Sequence, residues 1–391
     1  MSIESFANQH VLELVAYQPG KPIEETAREL GLNPHDIVKL ASNENPLGPS
    51  PKAVEAIARA AAGVNIYPDG AAFRLRSAIA EFCGVEFGQT VVGTGSSEVI
   101  ELICHALLNP RAEVVAAKHA FSMYPIMSKL FGAAYVEVPN KEDWTHDLDG
   151  FLAAITENTR VVFITNPTNP VGTVVGQQEI DDFMAKVPEH VLVVFDEAYR
   201  EFVYAGEPLQ SMGQFADAAE NVIVIDTVSK RFSACGARIG CLITRNRELM
   251  AHAMKYAQCR LSVPTLDQVA AAALYDVGPE YFAAVREEYK RRRDTVMQKL
   301  QAIPGVICEC PKGAFYVMAH LPVDDADAFQ RWLLEEFEDN GDTVMFAPGE
   351  PFYATPGRGR SEIRIAYVLK QEDLERAMDL LALGIRAYNA R

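Results

Sequence analysis

One lysine sits where an amine could do chemistry. Thr227-Val-Ser-Lys230 follows directly on the apolar, β-branched run Val222 to Asp226. That order puts an amine just past the carboxyl end of a strand, where open α/β sheets bind their ligands. A lysine becomes a nucleophile, able to form a Schiff base with a carbonyl, when burial and nearby positive charge lower its pKa. Arg238, in Gly236-Ala-Arg-Ile-Gly240, can supply that charge and pair with a phosphate. A surface lysine at a strand end fits the dipeptide equally well when it is read alone.

Other residues offer complementary groups. Asp196 closes the apolar run Val191 to Phe195 and Tyr199 follows shortly after it. The Asp could serve only as a helix cap, and the Tyr could be core or a donor to a buried anion. Asn166-Pro-Thr-Asn169-Pro-Val-Gly172 holds two Asn-Pro pairs, which favour turns; we assign Asn166 to the turn and Asn169 to a ligand. Gly93-Thr-Gly-Ser-Ser-Glu98 lacks the third glycine of a dinucleotide fingerprint. A small-residue turn before a helix still offers free N–H groups to a phosphate. It is read as a phosphate cup with Ser96 and Ser97 as donors, joined by Thr227 and Arg238.

Positioning these groups requires a sheet. Apolar β-rich runs recur at Glu113 to Ala116, Ala134 to Val138, Val161 to Thr165, Val191 to Phe195, Val222 to Asp226 and Arg238 to Ile243. Between them lie helical patterns at Pro51 to Ala62, Ala71 to Cys83, Ser97 to Leu108 and Gln178 to Lys186. Such alternation implies an α/β fold, a mainly parallel sheet covered by helices on both faces. The charged pattern Thr265 to Leu300 predicts one or two helices leaving it. Strands at Gly313 to Met318 and Ile363 to Val368, with helices at Asp324 to Glu338 and Gln371 to Tyr388, predict a smaller α/β domain. We therefore expect a large domain over 46–284 and a small one made of 1–45 and 285–391.

A formal charge of −17 argues against nucleic acid or an anionic membrane as partner. No window approaches the ~20 apolar residues of a membrane span, and the start Met-Ser-Ile-Glu-Ser lacks the pattern of a signal peptide, so a cytoplasmic protein is expected. Seven scattered cysteines do not form a disulfide framework. Cys308 and Cys310 are the one pair with conceivable metal spacing, and no second pair accompanies them, so no metal is expected.

Four segments, in order, resemble fold-type I aminotransferases, which use pyridoxal 5′-phosphate. Ser229-Lys-Arg-Phe-Ser-Ala-Cys-Gly-Ala-Arg-Ile-Gly240 is similar to their cofactor-lysine segment, Asn166 to Gly172 to their NPxNPTG loop with Val171 for the usual Thr, Phe195-Asp-Glu-Ala-Tyr199 to their aspartate strand, and Ser361-Glu-Ile-Arg-Ile365 to their carboxylate-arginine strand. The resemblance implies that Lys230 carries the cofactor as a Schiff base and moves the substrate's α-proton. It gives Asp196 the pyridinium nitrogen, Asn169 and Tyr199 the 3′ oxygen, and Arg364 the substrate carboxylate. Phe121, in His119-Ala-Phe-Ser-Met-Tyr124, stands where the family stacks an aromatic ring on the pyridine, though a core aromatic fits too. Tyr67, in Asn65-Ile-Tyr-Pro-Asp-Gly70, matches the tyrosine that crosses to the neighbouring subunit's phosphate, which implies a homodimer.

Within that family the first half resembles histidinol-phosphate aminotransferases, through Tyr17-Gln-Pro-Gly-Lys-Pro-Ile-Glu-Glu25, Ala41-Ser-Asn-Glu-Asn-Pro-Leu-Gly-Pro-Ser-Pro51 and Phe195-Asp-Glu-Ala-Tyr-Arg-Glu-Phe202. It implies substrate contacts from Tyr17 and Asn43. Lys312-Gly-Ala-Phe-Tyr316, Val323-Asp-Asp-Ala-Asp327 and Thr355-Pro-Gly-Arg-Gly-Arg360 instead resemble the bacterial aspartate and aromatic branch. A second, phosphate-binding arginine could be Arg358 or Arg360, though a solvated turn is the favoured reading for both. Histidinol phosphate is the leading amino donor, with 2-oxoglutarate as acceptor; aspartate or an aromatic amino acid comes next. A decarboxylase or lyase of the same fold and a non-catalytic sensor remain as rivals, the latter without a helix-turn-helix or basic arm to support it.

Overall fold

The computed structural model describes residues 3–14, 22–204, 211 and 220–391. The chain begins with the helices α1 (Gln9–Leu12) and α2 (Ile23–Leu30) and a short strand β1 (Ile37–Lys39). Next come α3 (Pro51–Ala60) and α4 (Phe73–Cys83), then β2 (Thr90–Thr94), α5 (Gly95–Leu107), β3 (Glu113–Ala117), α6 (Met123–Leu130) and β4 (Ala134–Val138). They are followed by α7 (Leu148–Ala154), β5 (Thr159–Thr165), α8 (Gln177–Met184), β6 (Leu192–Asp196), β7 (Val222–Thr227), a single turn α9 (Val228–Arg231) and β8 (Ile239–Thr244). The strands β2 to β8 form one sheet in the order β2-β8-β7-β6-β5-β3-β4.

The alternation of runs explains this layer. Along each strand successive residues point to opposite faces. Val115, Val162, Val193 and Val224 enter one buried cluster, while their neighbours Val114, Val161, Val194 and Ile225 enter another. Both faces are covered, so the strands are apolar throughout. Three features depart from expectation. The run Thr90–Thr94 is a strand that the sequence reading passed over. β8 is antiparallel to both its neighbours, β2 and β7, because only the short connection through α9 separates it from β7. The helix of the Gly-Thr-Gly-Ser-Ser segment also starts earlier than expected, at Gly95. Glu98 accepts from the Thr94 amide and caps it there.

Beyond β8 lie α10 (Arg247–Cys259), α11 (Thr265–Leu274) and α12 (Pro279–Leu300), so the charged pattern makes two helices. Phe282 of α12 packs in the sheet's core, whereas Val285, Tyr289, Val296 and Leu300 pack in a separate one. That second core belongs to β9 (Ile307–Cys308), β10 (Tyr316–His320), α13 (Ala326–Glu335), β11 (Thr343–Met345), β12 (Ala347–Pro348), β13 (Glu362–Ala366) and α14 (Gln371–Asn389). Its antiparallel sheet runs β12-β13-β10-β9, and β11 pairs with the N-terminal β1. Ala198, Tyr199 and Phe202, just past β6, and Leu40, just past β1, also enter this core.

A buried ionic cluster ties together the segments that follow β6 and β7. The guanidinium of Arg231, 1 % exposed, lies 2.7 Å from Asp226 and 3.5 Å from Glu201. Arg200 spans Glu197 at 3.3 Å and Glu201 at 3.2 Å. A buried pair broken from one side leaves a charge without compensation, at about 3–5 kcal/mol. Arg231→Met is thus expected to destabilise the chain by about that much, read from urea unfolding at neutral pH; a loss under about 1 kcal/mol would show that the cluster does not hold these segments.

Candidate active site

β2, β5, β6 and β7 end along one edge of the sheet, and there the sequence-predicted residues gather. Asp196 is the last residue of β6 and Thr227 the last of β7. Lys230 follows in α9, and Arg238 sits immediately before β8. The N-terminus of α5 opens beside them, with Ser96 and Ser97 in its first turn.

Close backbone approach makes this cluster possible. Gly95 adopts φ +77°, and a Cβ there would fall 2.1 Å from Arg238 Nη2; a Cβ on Gly240 would fall 2.6 Å from the Ser96 amide nitrogen. The two glycines let the Arg238 guanidinium and the first turn of α5 share one place. Free N–H groups and a guanidinium there form a cradle for a phosphate. Thr227 caps α9, its hydroxyl accepting from the Ser229 amide at 3.1 Å and donating to the Ile239 carbonyl at 2.8 Å. Its proton is thereby engaged, and the Ser229 hydroxyl, 2.8 Å away, is a neighbouring donor that the sequence reading did not single out.

Lys230 is held from the far end of the chain. Its Nζ donates to the Asn43 carbonyl at 2.6 Å, its own carbonyl accepts from Asn45 Nδ2 at 3.2 Å, and Asn45 Oδ1 accepts from the Tyr289 hydroxyl at 2.9 Å. Arg364 Nη2 reaches the Ala41 carbonyl at 3.4 Å and Nη1 reaches Asn169 Oδ1 at 3.4 Å. The 41–45 segment therefore bridges the lysine and the arginine. The Arg364 guanidinium lies over two rings, 5.3 Å from the centre of Tyr316 and 4.6 Å from that of Phe352. Tyr199, buried, packs edge-on against Tyr316 at 5.1 Å.

Asp196 Oδ2 accepts from the Tyr124 hydroxyl at 2.9 Å and Oδ1 from the Ala198 amide at 3.1 Å. Tyr124 in turn meets Thr165 at 2.7 Å. The sequence reading named Tyr124 only as the end of the Phe121 segment; its place, three residues past that ring, was the available signal. Phe121 packs edge-on against it at 5.7 Å. Asn166 exchanges two hydrogen bonds with Val175, both 3.0 Å, and pins the loop that carries Asn169. Tyr67 is 83 % exposed and apart from the cluster. Arg360 is an exposed partner of Asp325 at 2.6 Å, and Arg358 is exposed as well. Tyr17 lies outside the described residues.

Burial dominates the electrostatics. It pulls the Lys230 ammonium down to about 8, helped by Arg364 and Arg238 and opposed by Cys235 and Glu44. Burial likewise pushes Asp196 up to about 6, against the donors Ala198 and Tyr124, and raises the Tyr199 phenol. The sign for Asp196 follows from linkage. A carboxyl that holds its proton more tightly folded than unfolded adds stability that is full below its ordinary value of 3.8 and is lost as pH rises through about 6. In cofactor-free protein, Asp196→Asn should therefore gain stability relative to the parent between about pH 4 and 7, by up to about 3 kcal/mol. Paired urea midpoints across that range check it, and a flat difference would contradict it.

The profile of the family described as aminotransferase class I and II matches residues 35–381. A histidinol-phosphate aminotransferase of Akkermansia muciniphila is 89% identical over 240 residues, which are 61% of this chain and 65% of that protein. The match thus spans a little under two thirds of that relative. Histidinol-phosphate aminotransferase 2 of Pseudomonas fluorescens is 45% identical over 299 residues, 76% of this chain and 78% of that protein. Aspartate aminotransferase from Thermus thermophilus with maleate superposes with a TM-score of 0.83 at 27% identity, covering 97% of this chain and 99% of that one. The chain belongs to the class I and II aminotransferases, a pyridoxal-phosphate-dependent family with the fold type I architecture.

Proposed function

We propose that the protein is a histidinol-phosphate aminotransferase that passes the amino group to 2-oxoglutarate. The observation that carries the reaction class is the buried amine of Lys230, held with its pKa near 8 beside Asp196, Arg238 and Arg364. The substrate rests on the identity to the Akkermansia and Pseudomonas relatives. A second reading, a dicarboxylic or aromatic amino-acid substrate, draws on the likeness to the Thermus enzyme over nearly the whole chain and on the exposure of Arg358 and Arg360.

The residues present fit the cofactor. The glycine cradle at Gly95 and Gly240 would take the phosphate, with Ser96, Ser97 and Arg238 as donors and Thr227 joining them once its hydroxyl turns from the Ile239 carbonyl. Asp196 would keep a proton on the ring nitrogen, Asn169 and Tyr199 would face the 3′ oxygen, and Phe121 would cover the ring. When bound, pyridoxal 5′-phosphate supplies a carbonyl for amines and an electron sink for the bonds at the substrate's α-carbon. Lys230 Nζ would take the proton from that carbon and pass it to the carbon that carried the cofactor's carbonyl, a role for which a pKa near working pH is suited. Arg364 orients the carboxylate of glutamate or 2-oxoglutarate, or the phosphate of histidinol phosphate, through its planar fork. Asn43 and Tyr17 complete the substrate contacts.

The wider organisation belongs to the same proposal. The separate cores support a large domain over 46–284 and a small domain of 1–45 and 285–391. Exposed Tyr67 suits a homodimer in which it reaches the neighbouring site. Among the described residues no helix is long and apolar enough to cross a membrane; we place the protein in the cytoplasm.

Half-reactions test the reading. Purified holoenzyme mixed with histidinol phosphate should convert the cofactor absorbance to its amine form faster than with aspartate or phenylalanine; a reversed order would favour the second reading. Lys230→Ala should lose turnover by at least about 10²-fold. Retained turnover, or release of CO₂ in place of a keto product, would sink the assignment.

A further inference from the structure

The segment 349–361, between β12 and β13 of the small sheet, reaches across to the edge of the large one. Tyr353 is its anchor. Its hydroxyl meets His119 Nε2 at 2.5 Å and donates to Glu362 Oε2 at 2.6 Å. The imidazole is itself fixed: its other nitrogen lies 3.0 Å from Asn140 Oδ1, and its ring stacks on Trp144 at 5.6 Å and 18°. Asn140 is oriented by donating Nδ2 to the Trp144 carbonyl at 3.0 Å. A second anchor lies beside the first, where Glu137 of β4 accepts from the Ala354 amide at 3.2 Å and the Thr355 hydroxyl at 2.7 Å.

These contacts bear on the candidate active site through two neighbours. Phe352, adjacent to Tyr353, has its ring centre 4.6 Å from the Arg364 guanidinium, which also meets the Tyr316 ring at 5.3 Å. Glu362, which takes the Tyr353 proton, is two residues before Arg364 on β13 and points to the same face. A buried guanidinium packed on aromatic rings is desolvated, which strengthens a bidentate pair with a carboxylate.

We propose that Tyr353, His119 and Glu137 form a latch that holds Phe352 over Arg364, making them positioning residues for the anionic group of the substrate. The inference rests on the reading of Arg364 as the carboxylate site. The latch joins the two sheets, so its closure sets how tightly that site grips a carboxylate. It leaves the proton transfer at Lys230 to other groups.

Succinate, an unreactive dicarboxylate, reads the site without turnover. Trp144 reports the latch once the second of the two tryptophans is removed as Trp332→Phe. In that background, calorimetry on the holoenzyme should show Tyr353→Phe, which removes both contacts of its hydroxyl, and Thr355→Val, which removes the one to Glu137, each weakening succinate about five- to tenfold. Both should shift the Trp144 emission and raise the KM for the 2-oxo acid by a similar factor, with the loss falling on KM rather than on kcat. Phe352→Leu should weaken succinate while leaving that emission in place. If the latch variants shift the Trp144 emission yet leave the succinate affinity and KM as they were, the contact is only structural and the proposal is overturned; a parent protein that fails to bind succinate overturns it too. Latch-dependent succinate binding in a protein that shows no transamination would keep this proposal and remove the assigned activity.

Discussion

Placing a lysine amine among buried strand ends is unfavourable for its charged form, and the Lys230 site is arranged to keep that cost. The hydrogen-bond partner of Nζ is a backbone carbonyl, that of Asn43, which accepts a hydrogen bond but cannot neutralise an ammonium as a carboxylate would. Arg364 and Arg238 push in the same direction as burial. An amine in those surroundings is neutral in roughly a tenth to a fifth of molecules near physiological pH, far more often than an ordinary lysine, and the neutral form is the one a nucleophile or base needs. The rest of the architecture serves this placement. Both faces of the large sheet are sealed, the strand ends bearing Asp196 and Lys230 are locked by the Arg231 cluster, and the 41–45 segment closes over them.

Asp196 shows the same force acting with the opposite sign. Its carboxyl is pushed up by burial and only partly relieved by two donors. A cationic ring nitrogen would relieve it further, so the strain in the cofactor-free site is matched to the group the family carries. Burial also raises the Tyr199 phenol, which keeps it a hydrogen-bond donor. Three groups shifted by one cause, at the edge where parallel strands end, make a stronger argument than any one of them.

Much of this was legible in the sequence because it rests on short-range patterns. The apolar runs located six of the seven strands of the large sheet, since strands buried on both faces are apolar without interruption. β2 was passed over because it merges into the Gly-Thr-Gly-Ser-Ser segment, whose glycines serve close approach to Arg238 and β8. The ordered motifs brought Lys230, Asp196, Asn169, Arg238 and Arg364 to attention, and the fold gathers them. Tyr124, Asn45, Phe352 and Tyr353 escaped notice, since each acts across a long sequence separation and no local period marks it. Asn45, for example, meets Lys230 and Tyr289 only because the N-terminal segment crosses both cores.

The account stands on the burial of one amine. Its most direct measurement is the titration of Lys230 itself in cofactor-free protein, followed through the pH dependence of its reductive methylation relative to exposed lysines. The account predicts a midpoint near 8, well below the ordinary value of 10.5. A midpoint at that ordinary value would mean that the amine is solvated as any surface lysine is, and would contradict it.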